Sequence, residues 1–232
     1  MMPERRHEFD EYIESYREAQ ARAIAISGET EDYFAGLRVE RLMAWLPELM
    51  SRPISILDFG ASDGHMAAIV KERFPEARVI GIDSSPRSIE YARRGHPGLG
   101  FFVLEENRLP FGDVTVDLVY AVGVFHHIPF AEHEEVCREI FRVLKPGGAF
   151  VLFEMNPWNP VTQLVFARSA VDRHAAMFSS RYAKKLLRRF GMVEVRYYAY
   201  FPRLLKFLRP LEPRLEKLPF GTLYAVIVRK TA

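Results

Sequence analysis

Ile54-Ser55-Ile56-Leu57-Asp58-Phe59-Gly60-Ala61-Ser62-Asp63-Gly64-His65 is a short apolar run, then a glycine-bearing turn, then the start of an amphipathic stretch. A run of this length, rich in Ile, Leu and Phe, predicts a buried strand. The turn after it predicts entry into a helix over 65–73. The same unit recurs downstream in RVIGID (78–83), GFFVLEE (100–106), VDLVYAV (116–122) and AFVLFEM (149–155). Helical stretches alternate with them, at Ser88 to Arg94 and in HEEVCREIFRVL (133–144), where Val136, Ile140, Phe141 and Leu144 share one face. Strands alternating with helices predict an α/β fold with a doubly wound parallel sheet.

Outside this repeat, MVEVRYYAYF (192–201) and LYAVIVRK (223–230) read as a closing strand pair. The intervening RLLKFLRPLEPRLEKLPFG carries three prolines and is expected to cap a sheet edge rather than form one helix. Ahead of the sheet, FDEYIESYREAQARAIAI and EDYFAGLRVERLMAWLPELM read as helices. No repeat, low-complexity tract or linker interrupts the chain. One domain over 1–232 is expected, divided into a helical lid (1–50), a core (51–155) and substrate-side loops, helices and closing strands (156–232).

The totals restrict function. The chain has 232 residues, 49% of them hydrophobic, enough for one sizeable core. Its 32 Lys and Arg against 30 Asp and Glu leave a net charge of +2, with no basic surplus of the kind that DNA binding calls for. The single Cys137 rules out an internal disulfide framework and fits a reducing compartment. The charged N-terminus does not read as a signal peptide, and no apolar run approaches a membrane span. A cytoplasmic location is expected.

In an open parallel sheet, ligands sit beyond the carboxyl ends of the strands. A glycine turn after the first strand lets a ligand approach the backbone; read alone it is equally a tight turn. Asp83 ends the second run 23 residues past Gly60, where a carboxylate can accept both hydroxyls of a ribose. It can equally cap the following helix, although Ser84 or Ser85 can do that instead. Glu105-Glu106-Asn107 closes the third run, where a carboxylate can take an adenine amino group. A nicotinamide dinucleotide would need a pyrophosphate at this turn, and Asp63 in Gly-Ala-Ser-Asp-Gly-His would repel it.

Together ILDFGASDGH, VIGIDSSP, VLEENRLPF, VDLVYAVGVFHHI and FRVLKPGGAF resemble, in order and spacing, the motifs of class I S-adenosylmethionine-dependent methyltransferases. The branch they are most similar to is the small-molecule, ubiquinone/menaquinone-type one, and the resemblance runs from about Phe9 to Glu154. It implies a Rossmann-like sheet of seven strands, mostly parallel with an antiparallel last strand, under an N-terminal helical lid. It also implies S-adenosylmethionine as cofactor, S-adenosylhomocysteine as product and methyl transfer to O, N or C of a metabolite. A non-catalytic cofactor-binding module and a methyltransferase acting on a macromolecule stay open as alternatives.

Carried over position by position, the resemblance places Asp58 and Gly60 at the methionine moiety. Ala61, Ser62 and Gly64 complete the turn, with Ser62 standing where the family has a second glycine. Asp83 matches the ribose acid, Ser84 its neighbour beside the adenine, and Glu105 and Glu106 the adenine edge. Val122 lies where the fourth strand opens onto the cofactor, and Tyr16 matches a cofactor-bordering tyrosine.

His126 and His127 follow the fourth strand and are candidate bases; a structural reading has a histidine here packing the next helix. Of the two, His126 is expected to be the freer side chain. Asn156 and Trp158, in a loop fixed by two prolines, are expected to wall the substrate site. Tyr12, Tyr33 and Arg38 are expected in the lid. No metal site is assigned. Residues 181–217 hold eleven Lys or Arg against three Asp or Glu. With Leu204, Leu205, Phe207 and Leu208 they read either as a solvated basic face or as a contact with anionic membrane or a lipid-like substrate. The oligomeric state is left open.

Overall fold

In the computed structural model, residues 16–105 and 108–231 are described. Helices α1 (Tyr16–Ile24), α2 (Glu31–Trp45) and α3 (Pro47–Met50) precede β1 (Ser55–Phe59). Then come α4 (His65–Arg73), β2 (Arg78–Asp83), α5 (Pro86–Gly95), β3 (Gly100–Val103) and β4 (Val116–Val122). A 3-10 turn (Phe125–His127), α6 (His133–Val143), β5 (Leu144–Met155), α7 (Pro160–Arg168) and α8 (Ser180–Leu187) follow. β6 (Gly191–Tyr198), 3-10 turns over Arg203–Leu211, α9 (Glu212–Leu215) and β7 (Leu223–Lys230) complete the order.

The seven strands form one sheet in the order β3-β2-β1-β4-β5-β7-β6. All pairings from β3 to β5 are parallel, and β7 is antiparallel to both β5 and β6, as the resemblance implied. Successive residues of β1 feed opposite faces. Ile56 packs with Leu42, Trp45, Val70 and Ile89 of α2, α4 and α5, while Leu57 packs with Val136, Ile140 and Leu187 of α6 and α8. Burial on both faces explains why the strands read as near-continuous apolar runs rather than alternating ones.

Proline-rich 203–221 is broken as expected. Its 3-10 turns and short helix carry buried Glu212 and Glu216 against the edge strand, where the Tyr197 N–H donates to the Glu216 carbonyl at 2.7 Å. Strand order reverses between β1 and β4. The crevice at their carboxyl ends is therefore where a ligand belongs.

Candidate functional site

Each strand end adds one part to that crevice. After β1 the backbone turns at Gly60 (φ +81°), and the Gly60 and Ala61 N–H groups both donate to the Ile82 carbonyl at 2.8 Å. A Cβ at Gly60 would meet Val124 Cγ2 at 2.4 Å, so glycine is needed for both conformation and space. Ser62 is left-handed too (φ 48°), a strained setting for an L-residue. Its N–H donates to Asp83 Oδ2 at 2.9 Å, which fastens the turn to the end of β2. Asp83 Oδ1 also accepts from the Ser85 N–H at 2.9 Å, and the Ser85 hydroxyl caps α5 by accepting from the Ser88 N–H at 3.0 Å. The α5 cap is thus the Ser85 hydroxyl, and the Asp83 carboxylate ties the turn after β1 to the start of that helix.

Asp58, at the end of β1, is buried, and no hydrogen bond reaches its Oδ2. Burial raises its carboxyl to about 8; the neighbouring Tyr120 hydroxyl pulls it down in part, and Asp83 and Asp63 push it up again. Asp63 is buried beside it, its Oδ1 accepting from the His65 N–H at 3.1 Å. Asp63 and Asp83, with an Asp58 that a cation would ionise, suit a positively charged ligand and repel a pyrophosphate.

Two cavities meet here. A small one of about 90 Å³ lies between Asp83, Ser84, Leu104, Val124 and Ile128. A larger one of about 250 Å³ runs past Asp58, Ala61, Asp63 and Met66 toward Arg38, Val161, Thr162 and Asp172. Gly60, Ser62, Val122, Gly123 and His127 line both. His127 therefore stands at the junction.

The turn carrying the histidines is pinned from behind. The His133 Nε2–H donates to the Phe125 and Ile128 carbonyls at 2.9 and 3.0 Å, and the Phe125 N–H donates to Glu154 Oε1 at 3.0 Å. The expectation that His126 is the freer ring is corrected. His126 is 4% exposed and clamped between Glu154 Oε2 (2.6 Å from Nδ1) and Asp172 Oδ1 (3.2 Å from Nε2). Burial alone would lower its pKa, but Glu154 and Asp172 outweigh burial and raise it to about 10. An imidazole already protonated at neutral pH cannot serve as a base. His127 has its Nε2 3.3 Å from the same Asp172 Oδ1, and burial holds its pKa below the ordinary value. Asp172 is held well below the carboxylate range because the histidines' hydrogen bonds outweigh its burial.

Other expected residues stand elsewhere. The Asn156 amide donates to the Pro219 and Gly221 carbonyls at 3.1 and 2.8 Å, and Trp158 is 70% exposed; neither lines either of these two cavities. Asn156 is consumed in stapling its loop to the one before β7, and that staple turns the indole outward. Tyr33 lies under the Arg209 guanidinium, 4.4 Å from its ring centre, and outside both cavities. Arg38 does reach the larger one. Gly64 (φ +79°) packs on Phe101, which a Cβ would meet at 2.6 Å, so it serves the fit of α4 against the sheet. Glu105 is exposed, bridged to Arg108, and lines neither cavity. Tyr12, Glu106 and the side chain of Tyr16 lie outside the described residues.

Sequence reading missed Asp172 and the role of Glu154. Glu154 had a visible signal, since it follows the fifth apolar run directly. Asp172 had none, lying 46 residues from His126 in a loop without a pattern.

Residues 56–148 match the family model described as a methyltransferase domain. The chain is 36% identical over 113 residues to a demethylmenaquinone methyltransferase of Thermus thermophilus, covering 47% of this chain and 50% of that protein. It is 33% identical over 136 residues to a trans-aconitate 2-methyltransferase of Methylobacterium radiotolerans, covering 58% and 50%. The chain thus spans about half the length of the curated relatives it matches. A solved structure from Thermotoga maritima, described as a SAM-dependent methyltransferase and possible histamine N-methyltransferase, superposes with TM-score 0.70 at 17% identity, covering 97% of this chain and 99% of that one. Sheet order, glycine turn, strand-end acids and these matches point the same way: residues 56–148 match the methyltransferase-domain model, and the chain shares the fold of a solved SAM-dependent methyltransferase.

Proposed function

We propose that this chain transfers a methyl group from S-adenosylmethionine to a small-molecule acceptor. The observation that carries the reading is the junction of the two cavities at Gly60, Ser62, Val122, Gly123 and His127. The smaller cavity, ending at Asp83, suits an adenosine. The acid-lined start of the larger one suits the cationic methionine end, and the rest of it holds the acceptor. The donor supplies an electrophilic methyl on a positively charged sulfur. The chain's own residues supply position, worth about 7–11 kcal/mol where alignment is good. Asp83 holds the ribose, Gly60 admits the ligand to the backbone, and Asp58 and Asp63 face its positive charge. Val161, Val165 and Met66 keep the acceptor side apolar, and His127 with Asp172 forms its polar wall.

Calorimetry with S-adenosylhomocysteine, S-adenosylmethionine and NAD tests the donor assignment. Both adenosyl ligands should bind at one site and NAD should not. Asp83→Ala should weaken both by about 1–3 kcal/mol, the cost of unpaired polar groups. NAD binding, or no adenosyl binding, overturns the reading. Transfer of labelled methyl to a metabolite panel then identifies the acceptor class.

A further observation bears on partners. Leu204 (87% exposed), Phe207 (71%) and Phe220 (70%) are exposed, as are Arg203, Lys206, Arg214 and Lys217 of the same segment, and Trp158 is exposed too. This patch adjoins the acceptor cavity. The Asn159 amide donates to the Phe220 carbonyl at 2.8 Å, Thr162 of the cavity wall donates to the Thr222 carbonyl at 2.7 Å, and Arg203 packs on Gly28 beside Ile26 and Ser27. Exposed apolar side chains interspersed along one segment with exposed cations are complementary to an anionic lipid surface. We infer that the acceptor side of the molecule rests on one. Among the described residues no helix is long and apolar enough to cross a membrane, so such contact would be peripheral.

A further inference from the structure

We propose that His126, His127 and Asp172 form a binding site for a divalent first-row transition metal ion, whose open positions hold an oxygen-bearing acceptor. The inference rests on reading the larger cavity as the acceptor site, and it says what the polar wall of that cavity binds.

The geometry comes first. One ligand atom from each of the three residues lies within 4.8 Å of the others. The two edges to Asp172 Oδ1 are 3.2 and 3.3 Å. A metal about 2.1 Å from each ligand needs ligand–ligand edges of roughly 3.0–3.4 Å, from right-angle to tetrahedral geometry. Both edges to Asp172 fall in that span, and the third, between the two imidazoles, lies within 4.8 Å and is the one an ion would close.

The surroundings are those of a ligated imidazole. A metal-bound histidine typically gives its second ring N–H to a carboxylate, which fixes the tautomer and aims the ring. Here the His126 Nδ1–H is directed at Glu154 Oε2 at 2.6 Å, and Glu154 is itself fixed through Oε1 by the Phe125 N–H. The ring and Glu154 are both buried, so the Nε2 direction is set by the fold. Two imidazoles and one carboxylate satisfy three positions and leave the others open, a donor set suited to Zn, Fe(II), Co or Ni. All three residues line the larger cavity, so the open positions face the acceptor. On binding, the ion takes the place of the proton shared between His126 Nε2 and Asp172, and that proton passes to solvent. An acceptor with two neighbouring oxygens, such as an α-hydroxy acid, then chelates the ion next to the junction.

The test uses the full chain, free of any purification tag and treated with chelator, titrated with Co²⁺ and then competed with Zn²⁺. One equivalent of Co²⁺ should bind and give ligand-field absorption that Zn²⁺ abolishes. Lactate, a bidentate α-hydroxy acid, should shift that absorption. Asp172→Asn should lower Co²⁺ affinity tenfold or more, and Glu154→Gln by about 10–100-fold, as loss of an orienting partner does. S-adenosylhomocysteine binding is measured in parallel. If the unaltered chain binds it but takes up no stoichiometric Co²⁺, the metal site is overturned and the donor cleft stands. If it binds neither, the reading of the cleft falls as well. Equal Co²⁺ affinity in the unaltered chain and Asp172→Asn also overturns the site, whatever the activity.

Discussion

Asp58 carries the clearest trade between stability and binding. Its folded carboxyl, at about 8, lies far above the ordinary carboxylate value because burial strips water from the charge. The sign follows from proton counts. The folded chain keeps a proton that the unfolded chain loses, so Asp58 costs nothing below the unfolded pKa and costs progressively more as pH rises toward 8. Asp58→Asn should therefore raise Tm, and raise it more at pH 8 than at pH 5. A cationic ligand beside Asp58 favours the carboxylate, so donor binding at pH 7 should expel most of one proton. Calorimetric enthalpies should then differ between phosphate and Tris buffers for the unaltered chain and agree for Asp58→Asn. Affinity for S-adenosylmethionine should rise from pH 6 to 8. Enthalpies independent of buffer would remove Asp58 from the charge balance of the site.

Among elements, β4 and β5 set the height of the two histidines, and their register is pinned at the far end of the sheet. Asp117, buried at the start of β4, accepts from Arg52 at 2.7 Å, from the Ser55 N–H at 3.0 Å and from Lys145 at 2.8 Å. Burial pushes its carboxyl up, but the bonds from Lys145, Ser55 and Arg52 outweigh that and leave it below its ordinary value. Its stabilisation is present above the unfolded pKa and is lost as pH falls through the folded value. Asp117→Ala strands the half-buried Ser55 N–H and leaves Arg52 and Lys145 without their buried partner, and should cost about 1–3 kcal/mol in urea unfolding at pH 7. The deficit should shrink toward pH 3. A deficit that does not vary with pH would mean that packing, not charge, joins β1, β4 and β5 there.

At the scale of the whole molecule, the two cavities differ in surroundings. The smaller is lined by strand ends and the turns after them, while the larger is walled in part by Thr162 and by Thr222, which lies two residues from the exposed Phe220. Vesicles of phosphatidylglycerol should sediment the protein in low salt, and phosphatidylcholine vesicles should not. Phe207→Ser with Leu204→Ser should abolish sedimentation while leaving S-adenosylhomocysteine binding intact. Retained sedimentation by this double variant would assign the contact to charge spread over the surface.

What the sequence determined by itself is local and periodic. The runs RVIGID, VDLVYAV and LYAVIVRK coincide with β2, β4 and β7 residue for residue, because strands buried on both faces need unbroken apolar side chains. The Gly60 turn and the position of Asp83 were legible because a positive φ and a strand end each constrain the residue at one position. What only the tertiary structure decided is pairwise and distant. His126 and His127 are adjacent and chemically identical, yet Glu154 and Asp172 bury one as a cation and leave the other at the junction of the cavities. Asn156 and Trp158 looked equally suited to a substrate wall until the loop before β7 consumed the amide and turned the indole to solvent. Residue type limits what a side chain can do, but its charge state and direction come from partners that folding brings from 28 to 65 residues away.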